Sequence, residues 1–230
     1  MDSTDKPSRS CRARVRRRRL LLLGVGLPCV AALVLVLAAT YRPAWYRPAG
    51  VDQARLHADK AALFELEDQI SAALNAGREI RLQISEDQIN RWLAARAELW
   101  PEAGIDLGGL HDPVVSLSHG AICAAATASE GPLRGIIGVS CHIAVTDDEV
   151  AIHCDRVRLG AIPVPWRWIS DALPRSALQD MEAITKGNRT ITLFNDWLWP
   201  NGKRRCRLRE LHVADGAVEV VIEPLSARRR

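Results

Sequence analysis

The 230-residue chain carries 31 Lys or Arg against 27 Asp or Glu, a formal net charge of +4 that hides a division. Residues 1–19 hold eight basic and two acidic side chains, whereas residues 48–227 hold 18 basic and 25 acidic ones. A net acidic body is a poor nucleic-acid binder by bulk electrostatics, and about 180 residues suffice for one hydrophobic core and one domain.

Residues 20–39 read LLLLGVGLPCVAALVLVLAA and contain no charge. At about 1.5 Å per residue they make roughly 30 Å of helix, the thickness of a bilayer's hydrocarbon core. The preceding arginine block predicts a cytoplasmic N-terminus. A signal peptide cleaved near Ala38-Ala39 is the alternative, and Leu27-Pro28 make a poor acylation context for Cys29. The collar TYRPAWYRPAG follows, holding both tyrosines, Tyr41 and Tyr46, beside Trp45. Their rings suit the headgroup level, with Arg42 and Arg47 reaching phosphate. The expected organisation is a basic cytoplasmic tail (1–19), a transmembrane helix (20–40), an aromatic and proline collar (41–50), an extracytoplasmic domain (51–227) and a basic terminus (228–230). The expected location is the cell membrane, crossed once.

Residues 51–77 place Leu56, Leu63, Phe64, Leu66, Ile70 and Leu74 at helical spacings, with Asp52 as cap and Gly77 as stop. Its apolar face needs a partner, which a sheet can supply. Residues 79–84 alternate as a strand with Ile80, Leu82 and Ile84 inward. Ser85 and Gln88 then open a helix as a capping box, with Ile89, Trp92, Leu93 and Ala97 as its buried stripe and Asn90, Arg91 and Arg96 facing solvent.

Three strands are expected next, at 111–127, 133–145 and 150–159. The tight loop 146–149 sets Val145 against Val150, which places Cys141 opposite Cys154 and His142 opposite His153. Pro163 and Pro165 exclude a central strand. A broken apolar helix before Pro174, a helix at 175–184, a strand at 189–199 and a hairpin around Asp215-Gly216 complete the chain. In that hairpin Leu211 and Val213 share a face with Val218, Val220 and Ile222.

Chemistry is sparsely signalled. Cys141 and Cys154 are the disulfide candidates, with buried free thiols and a metal site as open alternatives. Adjacent strand residues point to opposite faces, so Cys141 and Cys154 cannot share one zinc ion with His142 and His153 without a bulge. The Asp147-Asp148-Glu149 run and the His111-Asp112-Pro113 segment read as turns, and Ser118-His119 lacks a fixed acid. Asn188-Arg-Thr190 fits a glycosylation acceptor or a strand entrance. No GxSxG, HExxH or P-loop pattern occurs. The segments Trp166-x-Trp168 and Trp197-x-Trp199 are candidates for a ligand or membrane rim; their ordinary role is packing. No cofactor is implied.

The phrase IRLQISEDQINRWLA, followed by DPVVSLSHGAICAAA and later LHVADGAVEVVIEP, resembles the YpmS-like class of bacterial membrane-anchored extracytoplasmic proteins. Ser85, Glu86, Ile89 and Asn90 carry its strand-to-helix phrase. The resemblance implies a curled-sheet lipid-binding relative with a long helix in the sheet's concavity, and no catalytic residues. The cysteines and the Pro/Trp-rich stretch at 160–174 depart from it. The resulting fold class is α+β: a single N-terminal transmembrane helix, then a curved antiparallel sheet packed with amphipathic helices. The expected role is a non-enzymatic envelope scaffold or assembly factor, with a lipid bilayer and an envelope protein as partners. A lipid-binding or transfer module is the alternative, and an unrecognised hydrolase the second.

Overall fold

The structure is a computed structural model that describes residues 30–100, 109–128, 135–166, 184–185, 189–199 and 204–225. The basic tail, most of the apolar run, Cys11 and Cys29, Trp168, Asn188, most of the expected helices at 169–184 and the basic terminus lie outside these residues.

Helix α1 is described over residues 30–39. All its side chains from 30 to 37 are exposed, including Val30, Leu33, Val34, Leu35, Val36 and Leu37. Only its last turn meets the domain: Ala39 is buried, and the amide of Ala161 donates to the carbonyl of Ala38 at 2.7 Å. Among the described residues no helix is both long and apolar enough to cross a membrane.

Helix α2 (Gln53–Asn75) starts at the Asp52 cap, whose side chain accepts from the Ala54 amide. Leu63, Ile70, Ala73 and Leu74 form its buried stripe. Phe64 departs from the expected stripe: it is exposed, one position off that face, with Lys60 above its ring. Ile70 and Leu74 pack with Leu82 and Cys206, so the helix does find a sheet as partner. Gly77, at φ +68°, carries the chain out with its amide on the Leu74 carbonyl, a conformation that glycine adopts at little cost.

Strand β1 (Ile80–Ser85) leads into α3 (Glu86–Ala94) and the short α4 (Arg96–Leu99). Ser85 caps α3 by accepting from the Gln88 amide. The buried stripe runs at helical spacing from Trp92 through Ala95 and Leu99, and Ala97, expected on it, is exposed. Leu63, Trp92, Ala95 and Leu99 make one core cluster.

The remaining strands are β2 (Leu110–Ser118), β3 (Ala121–Ala128), β4 (Gly135–Val145), β5 (Glu149–Leu159), β6 (Ile162–Pro163), β7 (Ile184–Thr185), β8 (Thr190–Phe194), β9 (Trp197–Leu198), β10 (Arg205–Ala214) and β11 (Ala217–Pro224). Their described pairings are antiparallel, as expected, but they form two sheets instead of one. The first has the order β1-β11-β10-β9; the second runs β2-β3-β4-β5-β8-β7, with β6 on β5.

The expected strand 111–127 is in fact a hairpin. His119 and Gly120 both have positive φ, +52° and +75°, the conformation of a tight two-residue hairpin turn. The strand expected at 189–199 divides at Asn195, so that β8 joins the second sheet and β9 the first. The β4–β5 register matches the loop-length expectation from Val145↔Val150 to Cys141↔Cys154. Beyond it Ser140 pairs with Arg156, leaving Asp155 as an extra residue, a β-bulge.

Two asparagines fasten these parts. Asn195 is 1% exposed. Its Nδ2 donates to the carbonyls of Thr146 (2.7 Å) and Leu208 (2.6 Å), and its Oδ1 accepts from the Leu208 amide (2.7 Å). It therefore ties the β4–β5 turn to β10, beside the bulge between Leu208 and Glu210. Asn90 does the same for the edge of β2: Nδ2 donates to the Val115 carbonyl at 2.8 Å and Oδ1 accepts from its amide at 2.7 Å. Glu86 Oε2 accepts from the Leu117 amide at 2.6 Å. Helix α3 thus closes an edge that would otherwise offer unpaired backbone groups. The expectation that Asn90 and Arg91 face solvent is overturned, because Arg91 is half-buried and ion-paired with Asp59 and Asp87. Leu117, Val213 and Val218 form the core between the two sheets.

Candidate functional site: a groove under the collar

The collar after α1 is folded against the second sheet. Residues 43–46 turn with the Tyr46 amide on the Pro43 carbonyl at 3.0 Å. Tyr46 is 2% exposed and packs on Val114, Ala125 and Ile136. Its hydroxyl lies 2.8 Å from both the Asp112 carbonyl and Thr127 Oγ1. The expectation of Tyr46 at a headgroup boundary is therefore corrected: its ring belongs to the domain core, with the Arg42 guanidinium 5.4 Å above it. Tyr41 and Trp45 remain exposed.

Two glycines permit this docking. A Cβ at Gly160, which has φ +58°, would run into the carbonyl oxygens of Ala38 and Ala39. A Cβ on Gly135 would meet the Leu159 side chain and approach Ala39.

Between collar and sheet lies a groove of about 800 Å³. One wall is Tyr41, Pro43, Ala44 and Trp45. Its floor is made of small residues on β3 and β4, among them Ala125, Gly138 and Ser140. The far wall is His142, Asp155, Arg156 and Arg158. The bulge explains that wall. The extra residue at Asp155 lets Asp155 and Arg156 both point outward, and Arg158 follows at strand spacing while Val157 stays buried. His142 Nδ1 lies 2.5 Å from Asp155 Oδ2. No carboxylate among the described residues pairs with Arg156 or Arg158.

The hydrogen bonds of the groove's polar side chains are specific. A nucleophilic site needs a hydroxyl or thiol in contact with its base. The described hydrogen bond of His142 goes to Asp155, and the Ser140 hydroxyl is instead contacted by the Cys123 thiol at 3.7 Å. No group of three or more His, Cys, Asp or Glu among the described residues is placed to hold a metal ion.

The described tryptophan candidates, Trp166, Trp197 and Trp199, do not converge here. Trp199 packs on the α2 cluster, its Nε1 donating to Ser71 Oγ at 2.7 Å. Trp197 is exposed on β9, and Trp166 borders a pocket of about 250 Å³ next to Cys154 that shares Asp155, Arg156 and Arg158 with the groove. Between helix α2 and its sheet, Ile70 and Leu74 pack directly with Leu82 and Cys206. Sequence reasoning passed over Arg156 and Arg158, although the alternation Arg156-Val157-Arg158 was visible as a charged face.

The cysteines occupy three environments. Cys141 and Cys154 are free thiols whose Sγ atoms lie 3.1 Å apart. Their shared hydrogen bond lowers the Cys154 thiol below its usual range and pushes the Cys141 thiol up. Cys206 is buried in the α2 cluster, and that burial pushes its thiol up. Cys123 faces the groove. No family model, curated protein or solved structure matches the chain.

Proposed function

We propose that this chain is a single-pass membrane protein whose extracytoplasmic domain holds an anionic amphiphile in the groove beneath the collar. One observation carries the reading: the groove opens beside the end of an exposed apolar helix and sets two arginines, without carboxylate partners among the described residues, opposite exposed aromatic rings. The aromatic wall suits the upper acyl carbons and glycerol region of a lipid. The arginines suit a phosphate or other anionic head. Each contributes about 1 kcal/mol near an anionic surface, so the pair together is worth roughly 30-fold in affinity. Residues 20–40 act as the anchor, with the tail 1–19 in the cytoplasm.

The test is lipid retention by the full chain, extracted in mild detergent and examined by native mass spectrometry. Phosphatidylglycerol should be retained in preference to phosphatidylcholine, and an Arg156→Glu, Arg158→Glu double variant should abolish the preference. Equal retention of both lipids, or a preference that survives the double variant, contradicts the proposal.

An envelope scaffold is the second reading. It is favoured by Phe194, Trp197 and Leu198, which are exposed where β8 gives way to β9. A grouping of this kind suits a protein contact. A crosslinker introduced at Leu198 should then capture one defined partner; uniform or absent capture counts against it.

A further inference from the structure

Cys141 and Cys154 face each other across β4 and β5. Whether a bond can close depends on the type of pair. At the turn, the Thr146 amide donates to the Glu149 carbonyl at 2.9 Å, so that pair is hydrogen-bonded. Hydrogen-bonded and open pairs alternate along an antiparallel ladder. Counting five steps from the turn makes Cys141–Cys154 an open pair. A second observation agrees: the Cys154 amide donates to the Arg189 carbonyl at 2.8 Å, toward the β8 side and away from β4. Open pairs bring their Cα atoms to about 4.5 Å, inside the roughly 4.4–6.8 Å range that a disulfide accepts.

Cys154 is 5% exposed, and access to it comes from the 250 Å³ pocket, whose lining includes Cys154, Asp155, Arg156, Arg158, Trp166 and Arg189. The hydrogen bond from Cys141 favours the Cys154 thiolate and outweighs the opposing burial and Asp155 carboxylate. The other cysteines stand apart: Cys123 lies against Ser140 on the groove side of the sheet, and Cys206 sits in the α2 core.

We propose that Cys141 and Cys154 are a redox pair, closed to a disulfide by exchange with a small-molecule or protein disulfide that enters at the Cys154 pocket. The Cys154 thiolate attacks one sulfur of the incoming disulfide, forming a mixed disulfide and expelling the other sulfur as a thiolate. That thiolate, or water, takes the Cys141 proton. The Cys141 thiolate then attacks Cys154 Sγ, breaks the mixed disulfide and expels the second sulfur as a thiolate, which takes up the proton that Cys154 gave to water on ionising. The protein loses two hydrogens and the reagent gains them. The bond clamps the ladder beside the Asp155 bulge. The inference does not depend on what the groove binds.

The experiment treats the full chain in native membranes with oxidised glutathione, then alkylates free thiols and maps peptides without reduction. The expected result is a Cys141–Cys154 crosslinked peptide, with alkylation lost at both positions and kept at Cys123 and Cys206. In a Cys141→Ala variant the reaction should stall as a glutathione adduct on Cys154. Full alkylation of Cys141 and Cys154 in the treated wild type overturns the proposal. So does glutathione left on Cys154 of the wild type, or a crosslink that recruits Cys123 or Cys206.

Discussion

Asn195→Ala should unfasten the two sheets at the point where β10 meets the β4–β5 turn. The wild-type side chain is 1% exposed and satisfies three backbone groups: the Leu208 amide and the carbonyls of Leu208 and Thr146. Each buried polar group left without a partner costs about 1–3 kcal/mol. Water entering the vacated space recovers part of that, so a net loss of about 3–5 kcal/mol is expected. In a domain of this size each kcal/mol is worth about 2–4 °C, which places the Tm about 6–20 °C lower. Urea and thermal unfolding of the full chain in detergent, followed by tryptophan fluorescence, measure both quantities. Asn195→Asp sharpens the test. A carboxyl group there can accept from the Leu208 amide, but only its protonated form can donate to a carbonyl. The folded-state pKa should rise above the unfolded value of about 3.9. The native state then binds more protons, so the variant loses stability as pH rises from about 4 and levels off above the folded pKa. An Ala variant within about 0.5 kcal/mol of wild type, or an Asp variant with a pH-independent deficit, refutes the reasoning.

Asn90→Leu should cost about 1–3 kcal/mol, because Val115 loses partners for both its amide and its carbonyl; hydrogen exchange should accelerate at the Val115 amide before the rest of the sheet. Tyr46→Phe removes the hydroxyl shared by Asp112 and Thr127 and should cost about 1–2 kcal/mol, with earlier proteolysis inside the collar as the specific readout. Gly160→Ala should detach the end of α1, since the new methyl meets the Ala38 and Ala39 carbonyls in a left-handed conformation. A spin label on Thr40 should then gain mobility, whereas unchanged spectra would argue that α1 is held by other contacts.

Local chemistry was legible in the sequence wherever one residue type has one physical role. Asp52 and Ser85 cap helices because their side chains reach the next free amides. The four residues 146–149 fixed a register that holds for five pairs on the strand side of the turn. What escaped was side-chain chemistry standing in for backbone. Asn90 read as a solvent-facing residue and Asn195 lay inside an expected strand, and nothing in their spacing announces the distant strands they complete. The bulge at Asp155 is equally silent, since it reflects how β5 is shared between β4 and β8; yet it aims Asp155 and Arg156 into the groove together. Tyr46 was misplaced because an amphipathic ring next to an apolar run suits a headgroup boundary and a domain core equally well. His119-Gly120 was missed because the turn lacks the Asn-Gly or Asp-Gly pair that usually marks two positive φ angles in succession.

The most direct measurement places a photoactivatable side chain at Ser140, on the groove floor, in the full chain embedded in phosphatidylglycerol membranes. The account predicts a phospholipid adduct at that position, lost when Arg156 and Arg158 are both changed to Glu. An irradiated Ser140 site that gives no lipid adduct, or one indifferent to the two arginines, would contradict it.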